Sequence, residues 1–315
     1  MKCMGLQVRR RGFDPAAMRP SSCREIKMGT DTIEARNISL TELGINTRVL
    51  EAGSGPVVLM LHGNPDNADE WALLMGRLAG RYRCIAPDFP GYGKSPEPPA
   101  SFSYSLADQI RFVDAVLQAV RIAEPVIPVV HDTGGMVGTA WAAANLDRVR
   151  GMVITNTVAF DEFPWFPIAR QWGGTSLLGK IRSSLGMAAL GLRNGALFKR
   201  VFGAQCPQLT EQQLDRFAAS FACNRDAKRT TLRQFRQFMR PGFFKEFAAM
   251  RERILRQVPC RVVWGDRDKF IPVEFAHAFG AKQITIVPDA GHWVALTTPE
   301  ALALAVEALG QGLDS

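Results

Sequence analysis

VIPVVHDTGGMVG, residues 126–138, is the stretch from which the rest of the chain can be read. Val126–Val130 is a compact apolar run of the kind that forms a strand covered on both faces. It passes without a spacer into His131-Asp132-Thr133-Gly134-Gly135, and Met136 opens a helix pattern, MVGTAWAAA. A strand that turns straight into a helix must bend sharply, and Gly134 and Gly135 tolerate the strained dihedrals and close packing of such a bend. The bend lifts the side chain at its middle out above the sheet. Asp132 is that residue. Giving the place to Thr133 would put bulky His131 where a small residue is preferred.

Outward from this turn, short β-rich runs alternate with helical patterns, which predicts a mostly parallel central sheet flanked by helices, an α/β fold. Residues 36–51 read as an opening hairpin turning at Leu43-Gly44, followed by strands at Val57–Leu61, Cys84–Ala86, Val126–Val130, Met152–Thr155, Arg261–Trp264 and Ile284–Val287. Ser105 and Asp108 resemble a capping box ahead of a helix carrying Ile110, Val113, Leu117 and Val120. The alternation stops at Phe160. From Asp161 to Arg256 no strand pattern occurs, and Leu232, Phe235, Phe238 and Met239 form a helical apolar stripe. Arg233, Arg236 and Arg240 take the opposite face, and Pro241-Gly242 ends the helix. The expected organisation is a basic irregular leader over 1–30, an α/β core over 31–160 and 257–315, and a helical cap over 161–256 inserted between two core strands.

With 315 residues, 47% hydrophobic and 22% charged, the chain has the composition of a soluble globular protein. No apolar run approaches the roughly 18–20 residues that span a bilayer. The leader lacks the apolar stretch of a secretory signal, and a transit peptide is its lesser alternative. Six scattered cysteines without a C-x-x-C pair fit a reducing compartment, so the cytoplasm is expected. The four histidines show no metal-ligand spacing, and neither metal nor cofactor is expected. The net charge of +8 is uneven: residues 161–256 hold seventeen Lys/Arg against seven Asp/Glu, residues 1–30 carry +5, and the remainder is acidic. A basic cap can attract an acidic substrate or a membrane surface; a solvated arginine-rich helical face is the plainer reading. No nucleic-acid motif accompanies the charge, and no motif speaks to the oligomeric state.

Four more segments carry chemistry: Leu61-His62-Gly63-Asn64-Pro65, Asp88-Phe89-Pro90-Gly91-Tyr92-Gly93-Lys94-Ser95, Trp264-Gly265-Asp266-Arg267-Asp268 and Ala290-Gly291-His292-Trp293. With VVHDTGG, in this order and over about residues 45–305, the chain resembles the haloalkane dehalogenase and epoxide hydrolase branch of the α/β-hydrolase superfamily. Its elbow stands where other members have G-x-S-x-G, with aspartate in place of serine. The resemblance implies a nucleophile at Asp132, a base at His292, and an orienting acid at Asp268, with Asp266 as the rival. It implies an oxyanion hole from the backbone N–H groups of Asn64 and Thr133, a supporting role for His62, and a structural role for the DFPGYGKS stretch. His131 is expected to be a packing residue and His277 a helix-surface residue.

The residue types define the chemistry. A desolvated, aligned carboxylate can attack activated carbon and form an ester. Water activated by a histidine that an acid orients then hydrolyses the ester at its carboxyl carbon. Two backbone donors stabilise the oxyanion of that second step, and the cap excludes water and shapes substrate preference.

The chain departs from the branch where the leaving group is held. Dehalogenases commonly carry tryptophan after the nucleophile, where Thr133 stands. Asn64 matches their second halide-holding position, and Trp165 or Trp172 offers a further donor unless, as their type favours, they are cap core. Epoxide hydrolases typically use cap tyrosines, whereas Tyr82, Tyr92 and Tyr104 all precede the cap. The arginine of the fluoroacetate dehalogenase elbow is absent too. A hydrolase of small apolar substrates, dehalogenase-like in its chemistry, is therefore expected, with epoxide hydrolysis or hydrolysis of a β-lactone or ester as alternatives. A serine esterase is disfavoured, because Ala218–Ala222 and similar small-x-Ser-x-small matches lie outside any strand-to-helix turn. A catalytically silent binding protein is the alternative of another class.

Overall fold

The computed structural model describes residues 32–165 and 167–311. The leader expected over residues 1–30, with Cys3 and Cys23, lies outside the described residues. β1 (Glu34–Leu40) and β2 (Ile45–Ala52) form the opening hairpin, which turns through Thr41–Leu43 and a left-handed Gly44 with φ 63°. β3 (Val57–Leu61), β4 (Arg83–Pro87), β5 (Ile127–His131), β6 (Met152–Thr157), β7 (Cys260–Gly265) and β8 (Gln283–Val287) follow. They complete an eight-stranded sheet in the order β1-β2-β4-β3-β5-β6-β7-β8. The β1–β2 and β2–β4 pairs are antiparallel and the others parallel.

Helices cover both faces. α1 (Ala72–Leu78) follows β3, α2 (Leu106–Ala119) follows β4, and α3 (Asp132–Ala144) follows β5. Between β6 and β7 come α4 (Pro167–Trp172), α5 (Leu177–Leu190), α6 (Leu192–Gln205), α7 (Glu211–Phe217), α8 (Arg225–Phe238) and α9 (Phe247–Gln257), with no strand among the described residues there. α10 (Glu274–Ala278) precedes β8, and α11 (Val294–Thr297) and α12 (Pro299–Gln311) follow it. Val57, Leu59 and Leu61 of β3 face a core shared with Phe112 and Trp141, while Val58 and Met60 face Leu74, Leu302 and Val306. Because both faces are buried, the strand is apolar at every position rather than at alternate ones.

Two local expectations need correction. Ser105 caps α2 by accepting from the Asp108 N–H at 3.2 Å, but the reciprocal half of a capping box is not made. The Asp108 carboxylate turns instead to the Ser103 N–H at 2.7 Å and to Arg111. In α8, Leu232, Phe235 and Phe238 are buried as their spacing requires, but Arg233 is not simply solvated. Its guanidinium donates to the Phe102 carbonyl at 2.7 Å and the Pro98 carbonyl at 3.0 Å, and pairs with Glu97 at 3.3 Å. This face of α8 clamps that helix onto the loop before α2.

Candidate active site

The strand-to-helix turn is built as the glycines demand. Asp132 is the first residue of α3 and has φ 48°, a left-handed conformation that costs a non-glycine residue of order 1–3 kcal/mol. Neighbours hold it there: the Thr157 hydroxyl donates to the Asp132 carbonyl at 2.9 Å. A Cβ on Gly134 would lie 2.3 Å from the Leu61 carbonyl oxygen, so the helix start sits against β3 at a distance only glycine allows.

On the exposed side of this bend the Asp132 carboxylate meets two groups from distant loops. The backbone N–H of Asn64 donates to Oδ1 at 2.9 Å, and His292 Nε2 stands 3.7 Å from Oδ2. Thr133, the other oxyanion candidate, occupies the first turn of α3, whose N–H groups have no partner within the helix. That turn also lends the carboxylate the positive end of the helix dipole.

His292 is held from behind. Its Nδ1 lies 2.7 Å from Asp268 Oδ2, which also accepts from Asn156 Nδ2 at 2.6 Å. Asp268 Oδ1 accepts from the N–H groups of Phe270 and Ile271 at 2.7 and 3.0 Å. Burial pushes the Asp268 carboxyl up, but the His292 imidazole and these donors outweigh it and hold the group below the usual carboxylate range. With Asp268 acting only as acceptor, Nδ1 donates to it, and Nε2 is the nitrogen that faces Asp132. Asp266 instead faces Arg267 at 3.9 Å. Asn156 was not singled out from the sequence, because nothing local marks an asparagine at a strand end as the partner of an acid 112 residues later.

His62 braces the loop that carries Asn64: its Nε2 accepts from the Phe89 N–H at 2.9 Å, so Nδ1 donates to the Gly63 carbonyl at 2.8 Å. Burial disfavours its charge and lowers its pKa. His277 is exposed on α10, as expected. His131 packs as expected, buried with its ring against those of His292 and Trp293, but it also carries an ion pair that its sequence context did not show. Its Nδ1 pairs with Glu70 Oε1 at 2.7 Å, both side chains being buried. Burial opposes the His131 charge, but Glu70, with Asp132 and Asp268, outweighs it and lifts the imidazole to about 9. Nearby, burial raises Asp66 to about 7, although Arg216 of α7 reaches it at 3.0 Å.

The carboxylate and imidazole open into a cavity of about 400 Å³ whose wall is mainly apolar. Trp165, Trp172, Phe198 and Phe235 line it from the segment between β6 and β7, and Phe270 and Trp293 from the loops after β7 and β8. Trp165 and Trp172 also pack on other aromatics, Trp165 on Phe238 at 6.4 Å and Trp172 on Phe235 at 5.2 Å between ring centres. The polar lining is sparse: Asn64, Asp132, Gln205, Lys269 and His292. The Asn64 carboxamide is fixed from outside the cavity, its Oδ1 accepting from the Tyr92 and Thr231 hydroxyls at 3.1 and 2.9 Å. Asn64 itself remains part of the cavity wall. Gln234, 2.7 Å from the Tyr92 hydroxyl, completes this cluster, which joins α8 to the loop after β4.

Three relatives show the range of proteins that the chain is similar to. A protein of Xanthomonas campestris pv. campestris named cis-3-alkyl-4-alkyloxetan-2-one decarboxylase is 38% identical over 143 residues, which is 41% of this chain and 48% of that protein. A Shewanella oneidensis protein of the same name is 28% identical over 81% of this chain and 82% of its own length. Haloalkane dehalogenase 2 of Mycobacterium bovis is 25% identical over 82% of this chain and 88% of its own. Residues 58–306, most of the chain and everything that builds the cavity and its polar groups, match the alpha/beta hydrolase family as a whole. The chain is an enzyme of the α/β hydrolase family.

Proposed function

We propose that this hydrolase works through a covalent ester on Asp132, displacing a leaving group from a carbon of a small apolar substrate in the manner of a haloalkane dehalogenase. One observation carries the reading: Asp132 presents Oδ1 to the Asn64 N–H at 2.9 Å and Oδ2 to His292 at 3.7 Å, inside an apolar cavity. An aspartate so placed suits attack on carbon, because the cavity strips it of water while the Asn64 donor aligns it. Oδ2 forms the new C–O bond as the leaving group departs with the bonding pair. The Asn64 carboxamide, and the indole N–H groups of Trp165 and Trp172, are the donors proposed to receive a halide. Water then adds to the ester's carboxyl carbon and yields its proton to His292 Nε2, which Asp268 stabilises. The product alcohol departs with that proton, and the Asp132 carboxyl group left behind ionises to restore the nucleophile. The sum is a halide and water in exchange for an alcohol, a halide ion and a proton. The helical segment 161–256 is proposed as the cap that keeps bulk water out.

A second reading is favoured by the names of the oxetan-2-one decarboxylases and by Thr133, which stands where dehalogenases commonly carry tryptophan. A strained four-membered lactone also offers the carboxylate an electrophilic carbon, and needs no halide site.

The test uses His292→Phe, which blocks the second step while leaving the nucleophile in place. Incubation with haloalkanes and with β-lactones, read by intact-mass spectrometry, yields an adduct on Asp132 with the true substrate class. Release of halide or of carbon dioxide by the unaltered enzyme separates the two readings. An adduct that survives Asp132→Ala would overturn both, and a panel giving neither turnover nor adducts would favour a binding protein.

A further inference from the structure

We infer that α5 and α6 form a docking face for an anionic lipid bilayer, next to the mouth of the cavity. Among the described residues, every large apolar side chain left exposed, apart from Leu73 and Leu304, lies between residues 168 and 201. They are not scattered. Leu177, Ile181 and Leu185 recur every fourth residue along one face of α5, exposed by 78%, 48% and 66%, and Leu192 adds 63% at the start of α6. The inward face of α5 holds Ser183, fully buried, beside Met187. A helix that hides a serine and shows three large aliphatic residues is inverted for water, and such a face marks an interaction surface.

Charge selects the occupant. From residue 163 to 210 the chain has six Lys/Arg and no Asp or Glu. Lys180 and Arg182 of α5 and Arg193 and Arg200 of α6 are exposed around the apolar stripe. A second copy of the chain would bring the same positive face against it, and residues 1–30, at +5, carry the same sign. An anionic bilayer satisfies both features at once: acyl chains for the leucines and headgroup phosphates for the basic rim. No helix among the described residues is long and apolar enough to cross a membrane, so the contact lies in the interface plane. Ile168 and Val201 belong both to the exposed face and to the cavity wall, so an apolar substrate dissolved in the bilayer meets the cavity where the protein meets the lipid.

Co-sedimentation of the full chain with vesicles of phosphatidylcholine alone, or mixed with phosphatidylglycerol, tests the inference. The wild type binds the mixed vesicles, and less so as ionic strength rises. Leu177→Ser/Ile181→Ser/Leu185→Ser lowers partitioning by at least about ten-fold. Lys180→Glu/Arg182→Glu lowers it by about five-fold for each basic residue removed. All of these substitutions are at exposed positions, and both variants keep the wild-type unfolding midpoint. Failure of the wild type to bind the mixed vesicles, or binding undiminished in both variants, would overturn the proposal. So would concentration-dependent dimerisation that the serine variant abolishes while vesicle binding is absent, which would assign the face to a second copy.

Discussion

His131 and Glu70 form a buried ion pair, Nδ1 to Oε1 at 2.7 Å, directly behind the proposed base: the His131 ring centre is 4.5 Å from that of His292. The turn that presents Asp132 on one side thus carries a positive charge on the other, enclosed where water cannot screen it. Breaking one partner of such a pair leaves an uncompensated charge and costs about 3–5 kcal/mol.

That pair gives stability a pH signature. The folded pKa of His131, about 9, lies above its ordinary value of 6.5. Its contribution is therefore complete below about pH 6.5 and disappears as pH rises through 9. Glu70 is shifted the other way: burial raises it, but His131 outweighs burial and holds it below its ordinary value, so its contribution is lost only in acid. Melting temperature is to be followed against pH for the wild type and Glu70→Gln. The wild-type advantage is expected to shrink between pH 6.5 and 9, and a gap that stays constant there would mean that His131 is not charged in the fold.

Asp132→Ala is expected to lower turnover by about a thousand-fold or more, because the nucleophile has no substitute. Burst kinetics on the true substrate measure this, and unchanged turnover would exclude an aspartyl ester.

Asn156→Leu removes the donor that reaches Asp268 Oδ2 at 2.6 Å. Leaving a buried carboxylate short of a partner costs about 1–3 kcal/mol. Because Asn156 touches neither the cavity nor His292 directly, kcat is expected to fall with little change in KM. A change confined to KM would place Asn156 in substrate binding instead.

Two glycine substitutions are expected to move stability in opposite directions. Gly76 is exposed in the middle of α1, and a methyl group added to it would meet nothing within 4 Å. Gly76→Ala therefore gains about 0.5–1 kcal/mol from helix propensity. Gly135→Ala would bring a methyl within 1.9 Å of the Thr157 hydroxyl that holds the Asp132 carbonyl, and is expected to destabilise the fold and abolish activity together. Chemical denaturation of both variants checks the contrast.

Tyr92→Phe frees one of the two hydroxyl contacts on Asn64 Oδ1. Losing one hydrogen bond of about 0.5–1.5 kcal/mol lets the carboxamide rotate and weakens leaving-group binding by roughly three- to ten-fold. Inhibition by free halide measures it, and an unchanged inhibition constant would remove Asn64 from that role.

Most of the architecture was legible because it is local. Strands such as Val57–Leu61 declare themselves by continuous apolar runs, and the bend at Asp132 by strand, glycines and helix within thirteen residues. The residues proposed for the chemistry are each carried at a turn with its own short motif, so Asp132, His292, Asp268 and Asn64 could be named before any contact was known. What escaped lies between elements far apart in the chain. Tyr92 meets Thr231 across 139 residues, Arg233 grips carbonyls more than 130 residues earlier, and Glu70 becomes a partner of His131 only when β3 and β5 lie side by side. A capping box likewise looked complete in sequence, but Asp108 had a nearer donor in Ser103. By itself, then, the sequence determined which residues are presented at turns and that residues 161–256 are basic. Only the tertiary structure decided which charges are buried together, and which face of α5 looks outward, because burial and pairing depend on neighbours that periodicity along one segment cannot specify.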